Sequence, residues 1–94
     1  MAEKKWFSVK RGQLVQVRTI EFLEEGTFRP ILRYAVVMFD YTCDYFNLVD
    51  KSDPIHILFE KGEKSRTPPI KIEFITDLST DEQNSIRMDI LLSS

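Results

Sequence analysis

The sequence predicts an α+β domain in which a mainly antiparallel, strongly bent sheet of five or six strands, barrel-like in shape, precedes one C-terminal helix. Three observations predict this class. Apolar and polar residues alternate in several short segments, as in strands with one buried face. Turn residues separate these segments at short intervals. A helix-start pattern lies near the C-terminus, at Thr80. An all-β small barrel is the alternative.

The sequence of the N-terminal part of the chain predicts two strands joined by a turn. Trp6–Val9 forms the first strand, and Gly12 supplies positive φ in the turn that follows. The second strand, predicted over 14–24, carries two apolar pairs of opposite parity, Val15 with Val17 and Ile20 with Phe22. One buried face cannot hold both pairs, so we expect a β-bulge, bend or sheet corner near Arg18–Thr19. A turn at 24–27 follows.

The middle of the chain is the most apolar part of the sequence. Residues 31–39 are apolar at nearly every position, which predicts a central strand covered on both faces and starting after Pro30. A weaker strand is predicted over 43–49. Turn residues at 50–54 end it.

Two later segments alternate strictly. In Ile55–Glu60, the residues Ile55, Ile57 and Phe59 share one face and His56 lies on the other; Ile70–Phe74 has the same pattern. The polar residues 61–69 between them predict a mobile loop.

The C-terminal residues 80–92 are interpreted as one helix. Thr80 and Gln83 fit a capping box, and two acidic residues favour the positive end of the helix dipole. Residues 86, 88, 90 and 92 also alternate as a strand would, but a loop full of capping residues is a poor hairpin connection.

Length and composition place the chain among small globular proteins. It has 94 residues, 43% hydrophobic and 30% charged, so we expect one domain over residues 1–94. Its single cysteine cannot form an internal disulfide, which favours a reducing compartment. The longest apolar run, at 35–39, is far shorter than the ~20 residues of a membrane-spanning helix. We therefore expect a soluble, cytoplasmic protein that does not act on a membrane.

Charge is distributed unevenly along the chain. The formal net charge is −2, but residues 1–18 contain five basic groups and one acidic group. Within this segment, aromatic and basic residues alternate, an arrangement that suits binding of single-stranded nucleic acid. The candidate binding residues are Lys4, Lys5, Trp6, Lys10 and Arg11.

The sequence offers no recognisable catalytic set. His56 is the only histidine, and Cys43 lies beside Asp44, whose negative charge disfavours a reactive thiolate. The three glycines are isolated, so no phosphate-binding loop is predicted. We expect no catalytic residues, metal site or cofactor, and a non-enzymatic role. A small hydrolase or nuclease centred on His56 with a nearby Asp is the enzymatic alternative.

Two short segments carry resemblances. The segment 9–17 resembles the opening turn of SH3-like small barrels, in which a basic-glycine turn precedes a bent strand. Arg33 and Tyr34 are similar to an Arg-Tyr strand of small toxin–antitoxin-associated proteins. Asp and His residues follow in that family, whereas Ala35 and Val36 stand here, which removes the residues that a nuclease would need. The resemblance therefore implies only a sheet-plus-helix fold.

Three functional hypotheses follow from these observations. The first is a protein-interaction module, acting on a protein partner or as a homodimer, because the chain is rich in aromatic residues and lacks a catalytic set. The second is a small nucleic-acid-binding barrel that uses the basic N-terminal segment. The third is a toxin–antitoxin-associated small protein.

Overall fold

The computed structural model describes residues 6–44 and 54–93, which form seven strands and one C-terminal helix. The fold is α+β and mainly antiparallel, as predicted. The strands are β1 (Trp6–Val9), β2 (Leu14–Phe22), β3 (Phe28–Val37), β4 (Tyr41–Asp44), β5 (Ile55–Leu58), β6 (Lys64–Thr67) and β7 (Ile72–Glu73), and the helix is α1 (Thr80–Leu92).

The strands form two antiparallel sheets. β1 pairs with β4, and the larger sheet has the order β6-β5-β3-β2-β7. Its two edges, β6 and β7, are joined only by residues 68–71, three of which form a 3₁₀ turn. Five chain steps span at most about 18 Å, whereas four strand spacings in a flat sheet span about 19 Å. The larger sheet is therefore not flat, and within the described residues its edges do not pair and no barrel closes.

Two apolar clusters lie on opposite faces of the larger sheet, one against the small sheet and one against the helix. On one side, which we call the core face, Val15, Val17 and Ile57 pack with Phe7 of β1 and Cys43 of β4. On the other side, which we call the helix face, a second cluster buries residues of β2, β3, β5 and α1: Leu14, Val36, Leu58 and Ile90. The molecule therefore has three layers: the small sheet, the larger sheet and the helix.

The β-bulge that was one of the alternatives expected near Arg18–Thr19 does not occur. β2 pairs with β3 without interruption from Leu14 opposite Val36 to Phe22 opposite Phe28. Near the start of β2 both faces of the sheet are covered, so apolar residues on either face are buried there. Near its end, Ile20 is exposed. The prediction of a break assumed that every apolar residue of the strand is buried.

The central strand differs from the prediction in two respects. β3 begins at Phe28 and includes Pro30, which is tolerated because β3 pairs with β5 in the described residues only at Val36 and Val37. Burial on both faces is limited to residues 35–37, whereas Leu32 is exposed. The first seven residues of β3, Phe28–Tyr34, therefore contain no fully buried side chain.

The remaining strand predictions are partly correct. Ile55, Ile57 and Phe59 are all buried in the core, with His56 on the opposite, exposed side. The predicted loop 61–69 is wrong, because β6 lies within it and pairs with β5 through a turn closed by the Phe59 N–H donating to the Glu63 carbonyl at 2.8 Å.

The segment 70–74 is a strand only at residues 72–73, after the 3₁₀ turn. Of its three apolar residues only Ile72 is buried, and Ile70 and Phe74 are exposed. β4 ends at Asp44, and the rest of the strand predicted over 43–49, with the turn after it, lies outside the described residues.

The helix prediction is confirmed, with a shift of one residue in its cap. Ser79, rather than Thr80, is the N-cap: its hydroxyl accepts a hydrogen bond from the Glu82 N–H at 3.1 Å, and the Glu82 carboxylate accepts one from the Ser79 N–H at 3.1 Å. This capping box satisfies two backbone groups that the first helical turn leaves unpaired.

Candidate functional site

The structure separates the members of the predicted basic segment. Lys4 and Lys5 lie outside the described residues. Trp6 and Lys10 are exposed, whereas Phe7 and Val9 between them are buried. Trp6 and Lys10 therefore share the outer face of β1, about 13 Å apart along the strand.

Arg11 lies in the turn after β1, beside an acidic residue. Its backbone N–H donates a 2.7 Å hydrogen bond to the Asp40 carboxylate. This carboxylate lowers the positive potential next to the Arg11 side chain. Of the described candidates, Trp6 and Lys10 are thus the two that remain together on one exposed face.

A larger exposed feature lies at the far end of the β2–β3 pair. Residues opposite each other in the register share a sheet face, and the pairs Phe22/Phe28, Ile20/Pro30 and Arg18/Leu32 follow one another on the helix face. The helix covers this face only near Leu14, Val36 and Leu58. We call the uncovered part the apolar hairpin face and define it by five residues: Ile20, Phe22, Phe28, Pro30 and Leu32.

The apolar hairpin face is open to solvent. Phe22 is 81% exposed and Phe28 is 64% exposed, although their rings contact each other with centroids 6.4 Å apart. Ile20 is 53% exposed and Leu32 is 49% exposed. Single exposed apolar side chains are common on proteins, whereas these residues are neighbours in the β2–β3 register.

The opposite side of the same hairpin is polar. There, Glu21 and Arg29 face each other in the register and form an ion pair with 2.8 Å between carboxylate oxygen and guanidinium nitrogen. The end of the hairpin is therefore amphipathic. Its charged side continues the core face, while its apolar side faces water.

A depression adjoins the apolar hairpin face at the end nearer the helix. Its volume is about 370 Å³, and its lining residues are Arg18, Pro30, Ile31, Leu32 and Glu73. The Arg18 guanidinium also donates a hydrogen bond to the Ile70 carbonyl, which holds it at the rim. The site therefore combines projecting aromatic rings with a charged hollow beside them.

Arg33 fixes the base of this hairpin to the rest of the sheet. Its guanidinium donates to the Glu60 carboxylate at 2.9 Å and to the Glu63 carboxylate at 3.0 Å, and lies 3.9 Å from the centroid of the Phe59 ring. The pKa of Glu60 is lowered, first by a hydrogen bond from its own backbone N–H and then by Arg33. We call these contacts the anchor, because they tie the base of the hairpin to the turn between β5 and β6.

The other residues considered as candidates for catalysis or metal binding contact neighbouring side chains of the fold. His56 is exposed and its ring contacts Phe39 edge to face, with centroids 5.4 Å apart. Cys43 is buried, as predicted. Within residues 6–44 and 54–93, no group of three His, Cys, Asp or Glu side chains could hold a metal ion. Arg33 and Tyr34, which carry the toxin–antitoxin resemblance, serve the Glu60 anchor and the packing under the helix.

Sequence reasoning missed the apolar hairpin face, although one signal pointed to it. The change of apolar parity after Val17 marks the place where the helix face becomes uncovered. That change was interpreted as a bend within a buried strand. An exposed apolar face produces the same pattern.

Comparisons with protein families, with curated proteins and with solved structures gave no match to this chain. Within the described residues, no helix has the length and apolar character needed to cross a membrane.

Proposed function

We propose that this protein is a non-enzymatic interaction module that binds a protein through the apolar hairpin face. The observation that carries the proposal is the pair Phe22 and Phe28, which contact each other and are largely exposed. Aromatic residues at the centre of a patch are the side chains that contribute most to protein interfaces.

Folding requirements do not account for this surface. The strand pair needs apolar residues where the helix or the small sheet covers it, as at Leu14 and Val15. Beyond Val17, polar side chains on the helix face would hydrate well and leave the core unchanged. Exposed apolar side chains there increase the risk of aggregation unless a partner covers them.

Site-specific photo-crosslinking in cells tests the proposal. A photoreactive phenylalanine analogue replaces Phe28, or replaces Phe39 as a control, because Phe39 is also exposed, at 57%, but lies elsewhere. We expect protein adducts from position 28 and few from position 39. Absence of protein adducts at position 28, or equal adducts at both positions, would contradict the proposal.

Nucleic-acid binding is a second candidate, favoured by the exposure of Trp6 on the same outer face as Lys10. Trp6 is the only tryptophan, so its fluorescence reports this surface directly. If this candidate is correct, short single-stranded RNA or DNA changes Trp6 emission at low salt, and raising the salt reverses the change. Unchanged emission at low salt would eliminate it.

A further inference from the structure

We infer that the partner on the apolar hairpin face is a second copy of this chain, an inference that rests on the proposed function and specifies its partner. The face carries both a projection and a hollow. Phe22 and Phe28 project at the tip of the hairpin, and the depression beside Arg18 and Leu32 lies nearer the helix. A surface with both features is complementary to itself.

Two-fold symmetry brings these features together. The three residue pairs of the face are about 7 Å apart along the strands, with Ile20 and Pro30 in the middle. If the symmetry axis passes through this middle pair, the aromatic rings of each copy meet Arg18 and Leu32 of the other. Both copies then use the same patch, which is the arrangement of most homodimers.

The exposed area is sufficient for such a dimer. Phe22 and Phe28 together expose about 300 Å² per chain, since a phenylalanine has roughly 200 Å² of surface. The other residues of the face raise this to roughly 500 Å², so two copies bury about 1,000 Å², close to the lower limit for a specific interface. Each Arg18 guanidinium adds a cation–π contact with an aromatic ring. We expect a reversible dimer.

The free strand edges of the hairpin are less suited to pairing with another copy. Pro30 removes a backbone donor from the outer edge of β3. Next to β2, the chain at Ile70 accepts the hydrogen bond from Arg18 and occupies the neighbouring position. The two copies therefore associate through their faces rather than by extending the sheet.

Light scattering across a concentration series tests the dimer. We expect the mean mass to rise from the 11.1 kDa of one chain towards twice that value between about 10 µM and 1 mM protein. The double variant Phe22→Thr/Phe28→Thr should weaken dimerisation at least about tenfold. Phe39→Thr, a control that removes an exposed ring elsewhere, should leave it unchanged.

Cysteine crosslinking tests the position of the axis. In a Cys43→Ser background, Ile20→Cys places two thiols on facing sheets about 10 Å apart across the axis, so a short bismaleimide should link the two copies. Glu21→Cys, the next residue on the opposite side of the strand, should crosslink much more slowly.

The outcomes separate the dimer from the proposed function. A mass that stays at 11.1 kDa throughout the series, or crosslinking at Glu21→Cys as fast as at Ile20→Cys, overturns the dimer. If photo-crosslinking at position 28 then captures a different protein, the interaction module stands and only the identity of the partner is wrong. If it captures none, both proposals fail.

Discussion

The two halves of the β2–β3 pair share one continuous register but differ in what surrounds them. Near the start of β2, Val15 lies against the small sheet and Leu14 lies under the helix, and both are buried. Near its end, Ile20 and Phe22 continue the face of Leu14 but are exposed. Apolar residues on one strand face thus serve two purposes, since the first half stabilises the fold and the second half presents a surface.

The largest expected contrast comes from truncating one residue in each half. Leu14→Ala should lower the free energy of unfolding by about 2 to 5 kcal/mol, because it leaves a cavity beneath the helix. Ile20→Thr, on the same strand face, should change it by no more than about 0.5 kcal/mol, because the position is exposed and threonine suits a strand. Urea denaturation at low protein concentration measures both.

Equal losses of stability in these two variants would break the comparison. They would mean that Ile20 contributes to the core as Leu14 does, and that the exposed half of the hairpin has a folding role.

An intermediate contrast comes from the two turns that flank β2. Gly12 has φ of +86° and Gly26 has φ of +77°, so alanine is strained at both. Gly12→Ala should cost about 1 to 2 kcal/mol, because its turn is tied to Val37 by a 2.7 Å hydrogen bond between the Gly12 N–H and the Val37 carbonyl. Gly26→Ala should cost less, because the end of the hairpin can open locally without unfolding the core.

Thermal denaturation of the two alanine variants measures these costs. A larger loss in Gly26→Ala than in Gly12→Ala would show that the end of the hairpin belongs to the same cooperative unit as the core.

The smallest expected effect concerns the anchor between the halves. The pKa of Glu60 is lowered in the folded protein from its ordinary value of 4.5, so this carboxylate stabilises the fold above that pH and loses its contribution as the pH falls through the lower, folded-state value. Arg33→Leu removes one of the causes of the lowered Glu60 pKa, so the free energy of unfolding should depend less on pH in this range. Because Glu60 is largely exposed, the change should be less than about 1 kcal/mol.

Denaturation between neutral pH and the acid transition compares Arg33→Leu with the native chain. Glu21→Gln is a suitable control, because it weakens the ion pair with Arg29 at the far end of the same hairpin. A steeper acid loss in Arg33→Leu than in the native protein would contradict the assigned role of the anchor.

Local patterns predicted the elements whose burial follows from sequence spacing alone. The face of β5 that buries Ile55 and Ile57 and the extent of α1 were predicted, because alternation and capping are local signals. The exposure of β2 beyond Val17 was not, because it depends on where the helix ends its cover. The strand β6 was not predicted either, because its residues are polar and pair at a sheet edge, where apolar side chains are not required.

The residues of the proposed site were not predicted from the sequence. Aromatic composition indicated a protein-binding surface, but the basic segment around Trp6 attracted the site prediction. The residues of the apolar hairpin face meet through the pairing of β2 with β3, which brings Phe22 beside Phe28 across a turn. Sequence spacing predicted the turn but assigned the strands to the core.

A dilution series followed by amide NMR tests the central claim that the two halves of the hairpin serve different purposes. Between about 1 mM and 10 µM, we expect chemical-shift changes over residues 18–32 and near Glu73, with Val15 and the helix unaffected. Shifts concentrated on α1 or on β1 instead would contradict this division of roles, and an unchanged spectrum at every residue would overturn the dimer.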